Sequence, residues 1–261
     1  MLAPALAWAA PSCALPDTIA ANAVFMAGKT PEIALCFYET DACLAYDDND
    51  LPAWLSDLSL RWHMHLPIDL PWEKGAKRVA DICYALWRKI AFLNPWAVVL
   101  HPPQTANRKL LLGEFAKYCD HRLPVLLENV PWCDIVELGE QFLEQNGFGL
   151  CLDVGHALGY SQKAVAAWAC KASLLHWSAP CGNDLHKPLT AFSSQERIQA
   201  GAIMRQSKGI HVLEIFNWSG IVASLPILME LAGEYLEERT NPGIQTLAPE
   251  YTQRLALVHP H

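Results

Sequence analysis

Short apolar runs recur along the chain, and several of them end abruptly on a histidine or a carboxylate. They cover about residues 4–10, 32–38, 60–66, 96–101, 124–129, 148–153, 172–177 and 209–215. Most are continuous rather than alternating, which suits parallel strands covered on both faces. Between them, helical patterns occupy 17–28, 52–59, 73–93, 107–121, 134–146, 161–171, 194–207 and 219–238. Asp17, Asp134 and Ser194 stand where helices need N-caps. Gly147 and Gly209 end helices, and Pro95 and Pro124 break the chain just before a strand. Eight strand–helix pairs in strict alternation predict a single (β/α)8 TIM barrel over residues 1–238. Residues 239–261, with Pro242, Gly243 and Pro249, read as an irregular tail.

Composition agrees with one large unit. The chain has 261 residues, a length common for α/β barrels, with 52% hydrophobic and 18% charged residues. Its net charge of −8 makes it a poor tracker of nucleic-acid backbones, so no nucleic-acid partner is expected. Nine scattered cysteines without a CxxC pair suit a reducing compartment, and the expected location is cytoplasmic. Residues 1–10 lack a positive segment and serve better as a first strand than as a signal. No apolar run reaches transmembrane length, and no membrane partner is expected.

In such barrels chemistry gathers at the C-terminal ends of the strands. Those ends carry His65, His101, Glu128, Asp153, His156, His176, Asp184, His186 and Glu214. Taken singly, a histidine here is more often a core or rim residue, Glu128 could cap a helix, and Asp153 could fix the turn at Gly155. Their shared position at one end of successive strands favours a metal site. Imidazoles mixed with carboxylates suit a divalent transition metal such as zinc or manganese. Nine groups exceed the needs of one ion, so one to three ions are expected, with Glu128 placed to bridge. His63 shares the strand face of His65 and is read as lining the barrel interior. Trp72, Trp132, Trp177 and Trp218 lie near strand ends, as packing or as a wide apolar wall for a large planar ligand.

The order His65, His101, Glu128, Asp153-Val-Gly-His156, His176, Asp184-Leu-His186, Glu214 resembles the xylose-isomerase-like barrel superfamily, and in particular its endonuclease IV-type metal phosphodiesterases. Ala14-Leu-Pro-Asp-Thr-Ile19, Ala42-Cys-Leu-Ala-Tyr46, His65-Leu-Pro-Ile-Asp-Leu70, Leu127-Glu-Asn-Val130 and Glu214-Ile-Phe216 are similar to the cobamide-remodelling phosphodiesterases within it. The resemblance implies a core ion on Glu128, Asp153, His176 and Glu214, which would also carry the chemistry. It implies a second ion on His65, His101 and bridging Glu128, and a third on His156, Asp184 and His186. The implied reaction is attack of metal-bound hydroxide on the nucleotide-loop phosphodiester of a cobamide, giving cobinamide and α-ribazole phosphate. The corrinoid, a small-molecule partner, would rest on the tryptophans, with Lys187 near the phosphate.

Three alternatives remain at this stage. A sugar isomerase or epimerase needs only Glu128, Asp153, His176 and Glu214. An abasic-site endonuclease would use the same ligands but wants a basic groove. A non-enzymatic corrinoid-binding barrel would need no metal at all.

Overall fold

The computed structural model of this chain describes residues 6–120, 122–162, 168–180 and 186–233. Its strands are β1 (Trp8–Pro11), β2 (Glu32–Cys36), β3 (Arg61–His65), β4 (Val98–Leu100), β5 (Val125–Glu128), β6 (Gly149–Asp153), β7 (Leu174–Trp177) and β8 (Ile210–Leu213). All pair in parallel, in sequence order, and β1 closes on β8. The predicted (β/α)8 TIM barrel is therefore the observed fold, each strand being shorter than its expected run and lying within it, except β1, which starts later and ends one residue beyond.

The helices are α1 (Ile19–Met26), α2 (Thr40–Ala45), α3 (Ala76–Ile90), α4 (Arg108–Cys119), α5 (Glu140–Gln145), α6 (Val154–Gly159), α7 (Ser194–Gln206) and α8 (Trp218–Leu231). Several ends differ from expectation for local reasons. Thr18, not Asp17, caps α1, accepting from the Ala21 amide at 3.1 Å. Ser193, not Ser194, caps α7 in a reciprocal capping box with Glu196. The pattern at 52–59 yields only a 3-10 turn at Ala53–Asp57, and the helix between β2 and β3 is α2. That helix is six residues long, too short to show a period. It is tied down from a distance, since both the Thr40 amide and its hydroxyl donate to Asp69 Oδ1 at 2.8 Å. Segment 134–146 splits at Gly139, whose φ of +80° breaks the helix after a turn begun on Asp134. Residues 163–167 of the expected helix 161–171, the end of the expected last helix and the tail 239–261 lie outside the described residues.

Side chains alternate inward and outward along each strand. The outward set meets the helices in the main apolar layer, which holds Ile33, Leu35, Met64, Leu100, Leu127, Leu152 and Leu175. The inward set forms a second, smaller cluster inside the barrel: Ala9, Ala34, Cys36, Ala97, Val99, Leu126, Cys151, Leu174 and Val212. Toward the N-terminal end of the strands the interior is closed by a polar cluster. Buried Glu32 Oε1 meets His63 Nδ1 at 2.6 Å and accepts from Trp96 Nε1 at 2.7 Å. His63 thus lines the interior, where burial pushes its pKa down despite Glu32. No helix among the described residues is long and apolar enough to cross a membrane, and no disulfide joins the described cysteines.

Candidate metal centre

The apolar interior ends upward in a layer of ionisable groups. His65 closes β3, Glu128 closes β5 and Asp153 closes β6, while His176 sits one residue from the end of β7. His101 and Glu214 follow β4 and β8 by one residue. Inward alternation makes this layer coherent. Cys151 and Asp153 share one face of β6, as Leu126 and Glu128 share one face of β5.

Glu128, Asp153, His176 and Glu214 offer four ligand atoms within 4.8 Å of one another, and all four residues are buried. His65, His101 and Glu128 form a second such set, and His65, His176 and Glu214 a third that overlaps both. Glu128 belongs to the two sets that share no other residue. Its Oε2 lies 3.2 Å from both His65 Nε2 and His101 Nε2, and its Oε1 lies 3.2 Å from His176 Nδ1. His176 Nδ1 is also 2.9 Å from Glu214 Oε2, so this imidazole stands between two carboxylates.

The neighbouring backbone fixes these orientations. His65 Nδ1 meets the Leu66 carbonyl at 2.9 Å, which leaves Nε2 to face Glu128. Asp153 is also the N-cap of α6, with Oδ1 accepting from the His156 amide at 2.5 Å. Gly155 serves this turn by close approach rather than by an unusual backbone bend. It is helical, and an added Cβ would lie 2.4 Å from Ser178 Oγ.

Electrostatics show what the layer lacks within the chain. Burial, only partly offset by His156 and reinforced by Glu128 and Glu214, pushes the Asp153 carboxyl up to about 6. Burial also opposes ionisation of Glu128 and Glu214. Even so, His176 with His101 holds Glu128 well below the usual carboxylate range, and His176 with His186 does the same for Glu214. Asp153 Oδ2 and the buried His101 Nδ1 have no hydrogen-bond partner among the described residues. Three carboxylates crowded this deeply are costly unless positive charge stands among them. Donor chemistry, spacing and the unpartnered oxygen all fit a divalent cation.

Of the remaining sequence candidates, His156 and His186 lie beside the cage, with His156 Nδ1 3.7 Å from Asp153 Oδ1 and His186 Nδ1 3.7 Å from Glu214 Oε2. His156 is buried with Nδ1 directed to the Asn129 carbonyl at 3.0 Å, and His186 packs its ring 4.8 Å from Phe216. The two rings stand 6.1 Å apart, and neither joins a ligand set among the described residues. Asp184 lies outside the described residues. Trp72 and Trp132 line one cavity of about 380 Å³ at the mouth, with His101 at its wall. Trp177 does not reach the mouth. As the residue after inward His176 it faces outward, fully buried, donating to His211 Nδ1 at 3.0 Å. Trp218 opens α8, half-buried and edge-on to Phe25 at 5.1 Å. Lys187 is exposed.

Two residues of the site went unread in the sequence. Cys151 passes for core, yet it lies directly beneath Asp153 and joins Glu128 and His176 as a possible ligand set. Its i−2 position to Asp153 on an inward face was the available signal. Asn129, fully buried, spans β5 and β6 through its side chain and gave no signal, because its bonds to the Asp153 backbone leave no pattern in the sequence.

Neither a protein-family model nor a curated protein sequence matches the chain. Solved structures do match. A D-tagatose 3-epimerase-like protein aligns at 17% identity over 90% of this chain and 100% of its own, with a TM-score of 0.66. A 3-keto-D-glucoside 4-epimerase from E. coli aligns at 11% identity over 87% and 98%, with a TM-score of 0.63. A xylose isomerase domain-containing protein from Salmonella typhimurium aligns at 15% identity over 92% and 100%, with a TM-score of 0.53. The likeness is one of fold, a (β/α)8 barrel.

The expectation of a cobamide phosphodiesterase is corrected by this comparison. The similar barrels named for an activity are sugar epimerases, and none of them supports the cobamide-remodelling family. The hydrolase and corrinoid-salvage readings fall with it.

Proposed function

We propose that this chain is a divalent-metal-dependent sugar epimerase or isomerase. The observation that carries this reading is the cage of Glu128, Asp153, His176 and Glu214, set on four successive strands at the C-terminal mouth. The activities for which the similar barrels are named support it. Three carboxylates with one imidazole suit manganese, and the His65, His101 and Glu128 set, richer in nitrogen, suits zinc as a second ion.

Moving a proton on a sugar carbon requires acidity beside a carbonyl and a base on the correct face. The first is the chemistry that a divalent ion held by Glu128, Asp153, His176 and Glu214 would supply, by polarising the carbonyl and its neighbouring hydroxyl. Glu128 and Glu214 supply the second. They enter the mouth from strands three apart, with His176 between them. One carboxylate removes the proton from the carbon next to the carbonyl, and the enediolate forms. For an epimer, the other carboxylate would relay a proton from solvent to the opposite face of the same carbon while the first gives its proton up to solvent; for an aldose, the first would return its proton to the former carbonyl carbon as the hydroxyl proton passes to the former carbonyl oxygen. Asp153 and His176 hold the geometry. The apolar barrel interior below excludes water and so keeps these charges effective.

The test is product analysis. Manganese-loaded protein incubated with ketopentoses and ketohexoses, followed by chromatography of the free sugars, should yield a C3 epimer or the matching aldose. No conversion of any of these sugars at full metal occupancy would refute the reading.

A further inference from the structure

Strands β3 to β8 each send an imidazole or a carboxylate into the top layer, and the arc left to β1 and β2 is filled by sulfur. Cys36 closes β2 on its inward face, in register with His65 of β3. Cys13 follows β1 by two residues and packs against the same interior cluster. The ladder that pairs Pro11 with Ala34 brings the two cysteines side by side. It runs on past the end of β1, since the Ser12 amide donates to the Ala34 carbonyl at 2.8 Å and the Cys36 amide donates to Ser12 Oγ at 3.0 Å. Neighbouring strands stand about 4.8 Å apart, inside the range of about 4.4–6.8 Å between Cα atoms that a disulfide spans. The two thiols interact side chain to side chain, and Cys13 Sγ also meets the Tyr38 hydroxyl at 2.7 Å. The bond from Cys36, with a second from Tyr38, holds the Cys13 thiol below its usual range against the effect of burial. The same pairing, with burial, pushes Cys36 well above that range. Cys13 is partly exposed and Cys36 is buried. Neither thiol belongs to a ligand set among the described residues, so the pair points to redox chemistry rather than to the cage.

We propose that Cys13 and Cys36 are a peroxide-responsive dithiol, in which Cys13 is oxidised first and Cys36 then closes a disulfide across the ends of β1 and β2. Hydrogen peroxide transfers one oxygen to the Cys13 sulfur. Its O–O bond breaks, Cys13 becomes a sulfenic acid and one water leaves. The Cys36 sulfur next attacks the Cys13 sulfur, its proton joins the departing hydroxide as a second water, and the S–S bond forms. The two thiols give up two electrons in all, and peroxide is reduced to two waters. A small dithiol reverses the step by exchange. The disulfide ties together the arc between Glu214 and His65 and takes Cys13 away from Tyr38. The proposal is independent of the reaction at the cage.

The experiment treats the reduced full chain, freed of reductant, with one equivalent of hydrogen peroxide. Remaining thiols are alkylated at timed intervals and the peptides mapped by mass spectrometry. We expect a Cys13–Cys36 disulfide, with Cys13 leaving the thiol pool about tenfold faster than the exposed Cys170. Dithiothreitol should return both thiols. Cys36→Ala should stop at a sulfenic acid on Cys13, trapped by dimedone, and Cys13→Ser should abolish the fast phase. A Cys13 that reacts no faster than Cys170, a disulfide that joins either cysteine to another residue, or a fast phase that survives in Cys13→Ser would overturn the proposal. The site and the rate are both read from the parent chain, so the test stands even where a variant fails to fold.

Discussion

Asn129 and Asp153 are tied to each other in both directions. The Asp153 amide donates to Asn129 Oδ1 at 2.7 Å, and Asn129 Nδ2 donates to the Asp153 carbonyl at 2.8 Å. Asn129 follows Glu128 directly, so this clamp joins the ends of β5 and β6 just where two carboxylates of the cage are presented. The same Nδ2 also reaches Gln162 Oε1 at 2.8 Å, anchoring the pair to the chain beyond α6.

The first prediction follows from that clamp. Asn129→Leu keeps the volume but strips both backbone groups of Asp153 of their partners. Each buried orphan costs about 1–3 kcal/mol, so urea unfolding should show a loss of at least that size. Manganese affinity, measured by titration with detection of the free ion, should fall about 10- to 100-fold, the range for residues that orient ligands. Unchanged affinity would show that Asp153 holds its position without Asn129.

A second prediction concerns the contact between β7 and the start of α6. An alanine at position 155 would place its methyl 2.4 Å from Ser178 Oγ and 3.0 Å from the Ser178 carbonyl. The hydroxyl can rotate away, but the carbonyl belongs to the backbone just beyond His176. Gly155→Ala should therefore cost about 1–3 kcal/mol as overpacking and weaken metal binding by separating Asp153 from His176. Pairing it with Ser178→Gly should restore part of the stability and none of the carbonyl clash. A Gly155→Ala protein as stable as the parent would mean that the turn has room to shift.

The third prediction concerns pH and lies away from the metal centre. Burial pushes His211 down to about 4, and its Nδ1 accepts from Trp177 in the layer between barrel and helices. The unfolded chain, with an ordinary histidine value near 6.5, takes up this proton as pH falls from about 6.5 to 4, while the folded chain resists it. Stability from this residue is thus complete above pH 6.5 and is lost on acidification toward pH 4. The loss amounts to about 3 kcal/mol, at 1.36 kcal/mol per pH unit. His211→Gln keeps an acceptor for Trp177 without the titration. Unfolding free energies at pH 7 and pH 4 should show the parent losing about 3 kcal/mol more than the variant. Equal losses would contradict the buried neutral imidazole.

How far the sequence was readable depended on the length scale of the signal. Continuous apolar runs separated by helical periods reveal a parallel barrel, because burial on both strand faces is a property of whole segments. The ligand residues were legible for the same reason, since a charge directly after an apolar run must lie at a strand end. Direction was less legible where a run had no alternation. Trp177 reads as part of the mouth until the strand places His176 inward and Trp177 out. Contacts made through backbone atoms, such as the Asn129 clamp and the Asp69 cap on α2, leave no pattern at all. The substrate was the least legible, because barrels of this kind present similar ligand types to different reactions, and the extra imidazoles at His65 and His101 pointed to phosphodiester chemistry.

Deuterium exchange reads directly the proposed movement of a proton at a sugar carbon held over the cage. Manganese-loaded protein and a panel of ketoses in deuterium oxide should show deuterium entering at the carbon beside the carbonyl, by proton NMR, even where net conversion is small. The exchange should disappear on chelation and fall at least 100-fold in Glu128→Gln, in which the carboxylate common to both ligand sets is lost. No metal-dependent deuterium entry into any of these sugars, with manganese content shown to be full, would contradict it.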